Sequence, residues 1–310
     1  MKCEATTALL DNNAWIDIVT RDSSGKMLTK LQRAVARGSV DALVPLAAIE
    51  ETMAFATTDG IETRRRLAYM RAFGHGHLLR DLSELAHMET RGESTAGRVF
   101  MPDVEATALF AMALAASDNH GTFIAPTDGK TYHASNIAND TKNSQRYSAG
   151  SSDKGTEMEI VSAWSSRNSN PAQDGLVLTD GLELTPDATS EEVLQAYGDR
   201  MMQQAEQTFE AWVRDILAKS GAAANVIADD PAHHPFFSAY VAYYYAHLGR
   251  HLRNRTLWAR GDAYDRHYCV LSVAADVLVT SDADLQRTCQ LMPFRPFRVL
   301  STQEFVDNYI

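Results

Sequence analysis

The two ends of the chain alternate short apolar runs with longer segments in which apolar residues recur every three to four positions. The first pattern predicts buried strands and the second predicts helices. Strands are predicted at residues 7–10, 40–44, 277–280 and 297–300. Helices are predicted at residues 28–36, after Pro45, across 61–89 with an interruption at 74–77, across 262–275 and at 304–309. This alternation is typical of an α/β domain built on a parallel sheet.

The middle of the chain has a different character. Residues 117–187 are rich in Ser, Asn, Asp, Gly and Thr, so they supply little core, and we interpret them as a long loop or partly disordered segment. A capping-box pattern, Thr189 with Glu192, then begins a predicted helix that stops at Gly221, and another predicted helix follows Pro235.

These patterns predict a discontinuous domain with an insertion. The domain comprises residues 1–99 and 251–310, and the insertion, loop-rich and then helical, comprises residues 100–250. Long insertions in compact domains are usually functional or disordered. We expect this one to shape access to the site as a lid, a dimer surface or a platform for a partner.

The hydrophobic content, net charge and cysteine count limit the classes of protein to which this chain can belong. Of 310 residues, 45% are hydrophobic, which is enough to bury a sizeable core. The chain has 29 Lys and Arg against 40 Asp and Glu, and its net charge of −11 gives no global attraction to nucleic acid or to an anionic membrane. The three cysteines are too scattered for a disulfide framework, and the N-terminus does not resemble a secretory signal. No apolar run reaches the roughly 18 residues that a membrane span requires. We therefore expect a cytoplasmic protein without membrane association.

Four carboxylates occupy positions that a parallel sheet would bring to one edge. Asp11 follows the first predicted strand, and Asp282 lies two residues beyond the third. Glu51 lies in the helix after Pro45, and Asp265 lies near the start of the helix that leads into the third strand. Ligands of open parallel sheets bind outside the carboxyl ends of the strands. The four carboxylates are therefore predicted to converge at one site.

Converging carboxylates indicate metal chemistry. Their mutual repulsion raises their pKa values unless cations neutralise it, and hard divalent cations prefer oxygen ligands. One bound ion can lower the pKa of a water to generate a nucleophile, and a second, about 4 Å away, can stabilise the leaving oxygen of a phosphodiester. The sequence contains no Ser-His-Asp, Walker or HExxH pattern that would indicate a different mechanism. The acids therefore predict metal-dependent hydrolysis of a phosphodiester.

The same segments resemble the PIN-domain family of nucleases. They are Leu-Leu-Asp-Asn-Asn-Ala at 9–14, Val-Pro-Leu-Ala-Ala-Ile-Glu-Glu at 44–51, and the stretch from Asp265 through Asp276 to Asp282, which is the strongest match. The resemblance covers roughly residues 5–95 and 255–310. It implies a parallel sheet sandwiched by helices, Mg²⁺ or Mn²⁺, and usually RNA as substrate. Resemblance to the toxin branch would also imply a neutralising protein partner.

The chain departs from the family pattern at several positions. Glu50 and Glu51 are adjacent, and we prefer Glu51 because it lies six residues beyond Pro45. The residue after this glutamate, commonly Leu in the family, is Thr52. Asp262 competes with Asp265, which is preferred because its eleven-residue run to Asp276 suits the family's helix length. Auxiliary roles are predicted for Asn13, which would orient Asp11, and for Glu50, Asp262 and Asp284.

The densest basic stretch immediately precedes the predicted acidic helix. Its arginines are Arg250, Arg253, Arg255, Arg260 and Arg266. They are predicted to contact the phosphates of a nucleic acid, with a solvated helix end as the equal alternative. Two other functions stay open: a structure-specific or single-strand DNA nuclease with the same acids, and a catalytically silent module that binds nucleic acid or protein. The sequence also leaves open whether the chain forms a homo-oligomer.

Overall fold

The computed structural model describes residues 5–54, 60–74, 76–118, 123–124, 131–132, 157–158, 160–162, 165, 182–185, 187–254 and 262–310. Its strands are β1 (Thr6–Leu10), β2 (Val40–Pro45), β3 (Leu78–Leu79), β4 (Phe123–Ile124), β5 (Thr131–Tyr132), β6 (Val277–Val279) and β7 (Arg298–Leu300).

Helices connect and flank these strands along the described chain. They are α1 (Asn12–Ile16), α2 (Lys26–Ala36), α3 (Leu46–Ala54), α4 (Gly60–Phe73), α5 (Leu82–Thr90), α6 (Asp103–Asp118), α7 (Ser190–Gln203), α8 (Ala205–Lys219), α9 (Ala224–Ala228), α10 (Pro235–Asn254), α11 (Asp262–Leu271), α12 (Ala283–Leu291) and α13 (Thr302–Tyr309). In the described residues, no helix combines the length and apolar character needed to cross a membrane.

Five of the described strands form one parallel sheet in the order β3-β2-β1-β6-β7. β1 lies at its centre, with Thr6 opposite Val40 of β2 and Ala8 opposite Val277 of β6. The chain builds outward from β1 through β2 to β3, and later adds β6 and β7 on the other side. The strand order therefore reverses between β1 and β6, where sheets of this kind form a crevice at their carboxyl ends. The predicted α/β fold with a parallel sheet is confirmed.

The central strands are buried on both faces. Ala8, Leu9 and Leu10 are all inaccessible to solvent, and successive side chains of a strand point to opposite faces. Both faces of β1 are therefore covered by packed elements. For this reason the sequences of these strands are continuous apolar runs rather than alternations of apolar and polar residues.

Side-chain caps define where several helices begin. The Asp11 carboxylate accepts a hydrogen bond from the backbone N–H of Ala14 at the start of α1. The capping box predicted at Thr189 and Glu192 is confirmed at the start of α7. The helix predicted from this box to Gly221 is, however, two helices, because the backbone at Gln204 leaves the helical conformation between α7 and α8.

The segment predicted as one interrupted helix, residues 61–89, is instead α4, the edge strand β3 and α5. β3 has only two residues, which is too short for a periodic signal. Gly74 allows the chain to turn there, since a Cβ at this position would lie 2.4 Å from Cγ2 of Val44 and 2.9 Å from the Met70 carbonyl oxygen. The interruption in the pattern is therefore the entry to a fifth strand.

The main hydrophobic core surrounds the sheet and includes residues from the segment predicted as an insertion. Phe110, Val213 and Tyr243 belong to the same buried cluster as Leu9 and Trp15. A smaller core lies chiefly between α7 and α10. α10 also contacts α5, α11 and α12, so it packs directly against the helices that flank the sheet edge.

Candidate functional site

Three of the four predicted carboxylates meet at the carboxyl edge of the sheet. Asp11 follows β1, Glu51 lies on α3, and Asp282 caps α12 after β6. The negative charges of Glu51 and Asp282 both act on Asp11, and the charge of Asp282 acts on Glu51. The three acids come from three separate elements, and the point where the strand order reverses brings them together.

Asp11 is the most deeply placed of these acids, with 2% of its surface exposed. One carboxylate oxygen accepts a hydrogen bond from the N–H of Ala14 at 2.6 Å, and the other accepts one from the Thr280 hydroxyl. Burial raises the pKa of Asp11 to about 7, and the charges of Glu51 and Asp282 add to this rise while the two hydrogen bonds oppose it. The ionised form is thus disfavoured, as expected for a carboxylate that would need a cation.

Glu51 is held by two donors. The Tyr268 hydroxyl donates to Oε2 at 2.8 Å, and the Asn12 side chain donates a second hydrogen bond. Burial raises the pKa of Glu51, the charge of Asp282 adds to the rise, and the two donors and the charge of Arg66 lower it. Burial also raises the pKa of Tyr268 well above its usual value, with the nearby acids adding to the effect, so this hydroxyl stays protonated and able to donate.

Asp282 is oriented by the helix that it begins. Its Oδ1 accepts from the backbone N–H groups of Asp284 at 2.7 Å and of Leu285 at 3.1 Å. Its own N–H donates to the Thr280 hydroxyl at 2.9 Å. The Thr280 hydroxyl therefore links the backbone of Asp282 to the carboxylate of Asp11.

Asp265, the fourth predicted acid, lies partly buried on α11, one turn before Tyr268. Its charge acts on Cys269. α11 packs against α3 and is tied to the site through the contact between Tyr268 and Glu51. Its helix therefore reaches the site, and a ligand role for Asp265 itself stays a prediction.

The three predicted auxiliary acids lie on three different helices. Glu50 is buried on α3, and Asp262 is the first residue of α11. Asp284 is exposed and pairs with Arg250 at 3.0 Å and Arg287 at 3.3 Å, so it joins α10 to α12.

The orienting role predicted for Asn13 stays a prediction, and the hydrogen bonds to Asp11 that the structure shows come from Ala14 and Thr280. Asn13 is only partly buried, whereas the neighbouring Asn12 is buried and contacts Glu51. Asn12, Thr280 and Tyr268 are not predicted from the sequence. The only sequence feature that could have indicated Asn12 is its position next to Asp11, the acid that follows a buried strand.

The described arginines of the basic stretch have partners within the chain. Arg250 donates to the carboxylate and the carbonyl oxygen of Asp284, both at 3.0 Å, and Arg253 pairs with Asp199 at 2.8 Å. The guanidinium of Arg266 lies over the Tyr240 ring, 5.7 Å from its centre. Arg255 and Arg260 lie outside the described residues. Phosphate contacts by this stretch stay a prediction.

Within the part of the chain that the structure describes, no three His, Cys, Asp or Glu side chains are already arranged as a set of metal ligands. The acids nevertheless have the chemistry that hard divalent cations select. Comparison with protein-family models, curated proteins and solved structures gives no match.

Proposed function

We propose that this protein is a PIN-like ribonuclease that depends on a divalent metal and hydrolyses RNA phosphodiester bonds with metal-activated water. The observation that carries the proposal is the convergence of Asp11, Glu51 and Asp282 at the reversal point of the parallel sheet. Three repelling carboxylates at a crevice favour the binding of a cation. They are three of the four acids that the resemblance to PIN domains implies as metal ligands.

The donor set fits Mg²⁺ or Mn²⁺. Asp11, Glu51 and Asp282 would hold the ion, with Asp265 as a further donor from α11. Mg²⁺ retains several waters when carboxylates bind it, so a site that lacks a closed shell of protein ligands suits it. When bound, such an ion would supply a water of lowered pKa and would stabilise charge on the phosphate.

The chain's own residues keep the acids in place. Ala14 and Thr280 each bind one oxygen of Asp11, so the carboxylate has little freedom to rotate. Tyr268 and Asn12 both donate to the Glu51 carboxylate and restrict its rotation in a similar way. Side chains locked by such outer contacts are pre-organised, which reduces the reorganisation needed when an ion and substrate bind.

RNA cleavage by the purified protein tests the proposal. Labelled RNA and single-stranded DNA are incubated with Mn²⁺, Mg²⁺ or EDTA, and wild type is compared with Asp11→Asn and Glu51→Gln. We expect metal-dependent cleavage of RNA that falls by at least about 100-fold in both variants, since each loses a charged ligand. Glu84→Gln, which makes the same chemical change at an exposed position on α5, serves as the matched control.

The outcomes separate the three candidate functions. Cleavage of DNA in preference to RNA would favour a DNA nuclease with the same acids. RNA binding without cleavage under any metal condition would favour a silent binding module. Cleavage that persists equally in Asp11→Asn would show that the activity does not use this site.

A further inference from the structure

A buried amide lies directly behind the acidic cluster. Asn12 has 2% of its surface exposed, as Asp11 does. Its side-chain oxygen accepts a hydrogen bond from the Thr52 hydroxyl at 3.0 Å and one from Nη1 of Arg66 at 3.2 Å. Thr52 is fully buried on α3 and Arg66 is nearly so on α4. Donors from two helices thus converge on one amide oxygen.

These contacts determine which way the amide points. A guanidinium can only donate hydrogen bonds, so the group of Asn12 that faces Arg66 must be its oxygen. The NH₂ group then faces Glu51 and donates to its carboxylate. The opposite orientation would place donor against donor at Arg66 and acceptor against acceptor at Glu51. The partners therefore leave a single favourable arrangement.

We propose that Asn12 is a positioning residue: locked by Thr52 and Arg66, its amide directs the Glu51 carboxylate into the acidic cluster. The proposal rests on the proposed function, because Glu51 is one of the carboxylates assigned to the metal. Thr52 stands where the resembled family commonly has Leu, which has no hydroxyl to donate. The support behind Glu51 is therefore a feature of this chain that the resemblance does not imply.

The test removes the hydrogen-bonding groups one residue at a time. Thr52→Val replaces the hydroxyl with a methyl group, Thr52→Ser restores it, and Asn12→Ala removes the amide. Thr63→Val is the matched control, since Thr63 is also fully buried but its hydroxyl has no hydrogen-bond partner among the described residues. For each protein we would measure Mn²⁺ affinity by calorimetry without RNA, then kcat and KM for RNA, and thermal unfolding in EDTA.

We expect Thr52→Val and Asn12→Ala to weaken Mn²⁺ binding and to lower kcat, each by about 10- to 100-fold, as loss of outer contacts to a ligand does. KM for RNA should change little, Thr52→Ser should recover most of the loss, and Thr63→Val should match wild type. A purely structural role would lower the unfolding temperature and leave Mn²⁺ affinity and kcat unchanged.

The remaining outcomes test the positioning role and the ribonuclease proposal separately or together. Wild-type Mn²⁺ affinity in both Thr52→Val and Asn12→Ala would overturn the positioning role. If wild type binds Mn²⁺ but cleaves no RNA, the ribonuclease proposal is wrong, while the Mn²⁺ affinities of the variants still decide the role of Asn12. Lack of Mn²⁺ binding by wild type would overturn both.

Discussion

The Thr280 hydroxyl donates a hydrogen bond to the Asp11 carboxylate across the boundary between β6 and β1. The same hydroxyl accepts the backbone N–H of Asp282, and the carbonyl oxygen of Thr280 accepts from the Gln286 side chain at 2.7 Å. One threonine thus ties the turn after β6 to the acid after β1. The reversal of strand order makes this possible, because it places these two strand ends side by side.

Thr280→Val should destabilise the protein by about 1–3 kcal/mol, because it leaves an oxygen of Asp11 and the N–H of Asp282 buried without a partner. Thr280→Ser should remain close to wild type, since it keeps the hydroxyl. Urea unfolding in EDTA measures both. Equal stability of the Val and wild-type proteins would mean that this hydrogen bond is not formed in solution.

Asp11→Asn should stabilise the metal-free protein at about pH 8. The pKa of Asp11 is raised from 3.8 to about 7, so its favourable contribution is complete below about pH 4 and is lost as pH rises through 7. Asn does not titrate and avoids the buried charge, with an expected gain on the order of 1–3 kcal/mol. Thermal unfolding in EDTA at pH 5 and pH 8 provides an internal control, because the gain should shrink at the lower pH. A gain of equal size at both values would contradict the raised pKa.

Glu89 should make stability fall as pH rises from about 4.5 to 7. This buried acid on α5 accepts hydrogen bonds from the N–H groups of Phe237 at 2.8 Å and Phe236 at 3.3 Å, at the start of α10. Burial raises its pKa from 4.5 to about 7, so the folded state holds the proton more tightly than the unfolded chain does. The contribution is present below pH 4.5 and is lost as pH rises through 7.

The check is the slope of unfolding free energy against pH in wild type and Glu89→Gln. The variant should lose a pH-dependent contribution on the order of 1–3 kcal/mol. Glu84→Gln, an exposed site on the same helix, should retain the wild-type slope. An unchanged slope in Glu89→Gln would assign the pH dependence to other groups.

Arg250→Met should cost about 1–3 kcal/mol of stability, because Arg250 joins α10 to α12 through Asp284 and Thr288 in a partly buried contact. Arg253→Met is the comparison on the same helix: its ion pair with Asp199 is exposed, so the expected cost is about 0–1 kcal/mol. Urea unfolding distinguishes them. If Arg250→Met leaves stability intact but reduces the salt dependence of RNA binding, Arg250 contacts phosphate instead.

The native protein should resist alkylation at Cys269 and Cys289. Both side chains are fully buried thiols with sulfurs 3.0 Å apart, and burial raises the pKa of Cys269 well above its usual value. Because the thiolate is the reactive form, labelling by iodoacetamide should be on the order of 100-fold slower than in urea. Mass spectrometry of the peptides measures this. Rapid labelling under native conditions would show that α12 opens readily.

Local sequence patterns account for much of the fold. The runs at 7–10, 40–44, 277–280 and 297–300 correspond to β1, β2, β6 and β7. β1, β2 and β6 are mostly buried and therefore need apolar side chains on both faces, whereas β7 is an edge strand in which Arg298 is exposed. β3 was missed, since two residues carry no periodic signal and only its pairing with β2 makes it a strand. The break between α7 and α8 was missed because the apolar spacing continues across Gln204.

By itself, the sequence determined that Asp11 and Asp282 follow buried strands, and parallel strands bring such positions to one edge. Only the tertiary structure decided the partners of these acids. That Asn12 contacts Glu51, that Tyr268 reaches Glu51 and that Arg250 holds Asp284 all depend on how α3, α4, α10 and α11 pack. The reason is physical: the sequence pattern along an element sets which face is buried, whereas the contact between two side chains depends on the position and angle of elements that are distant in the chain.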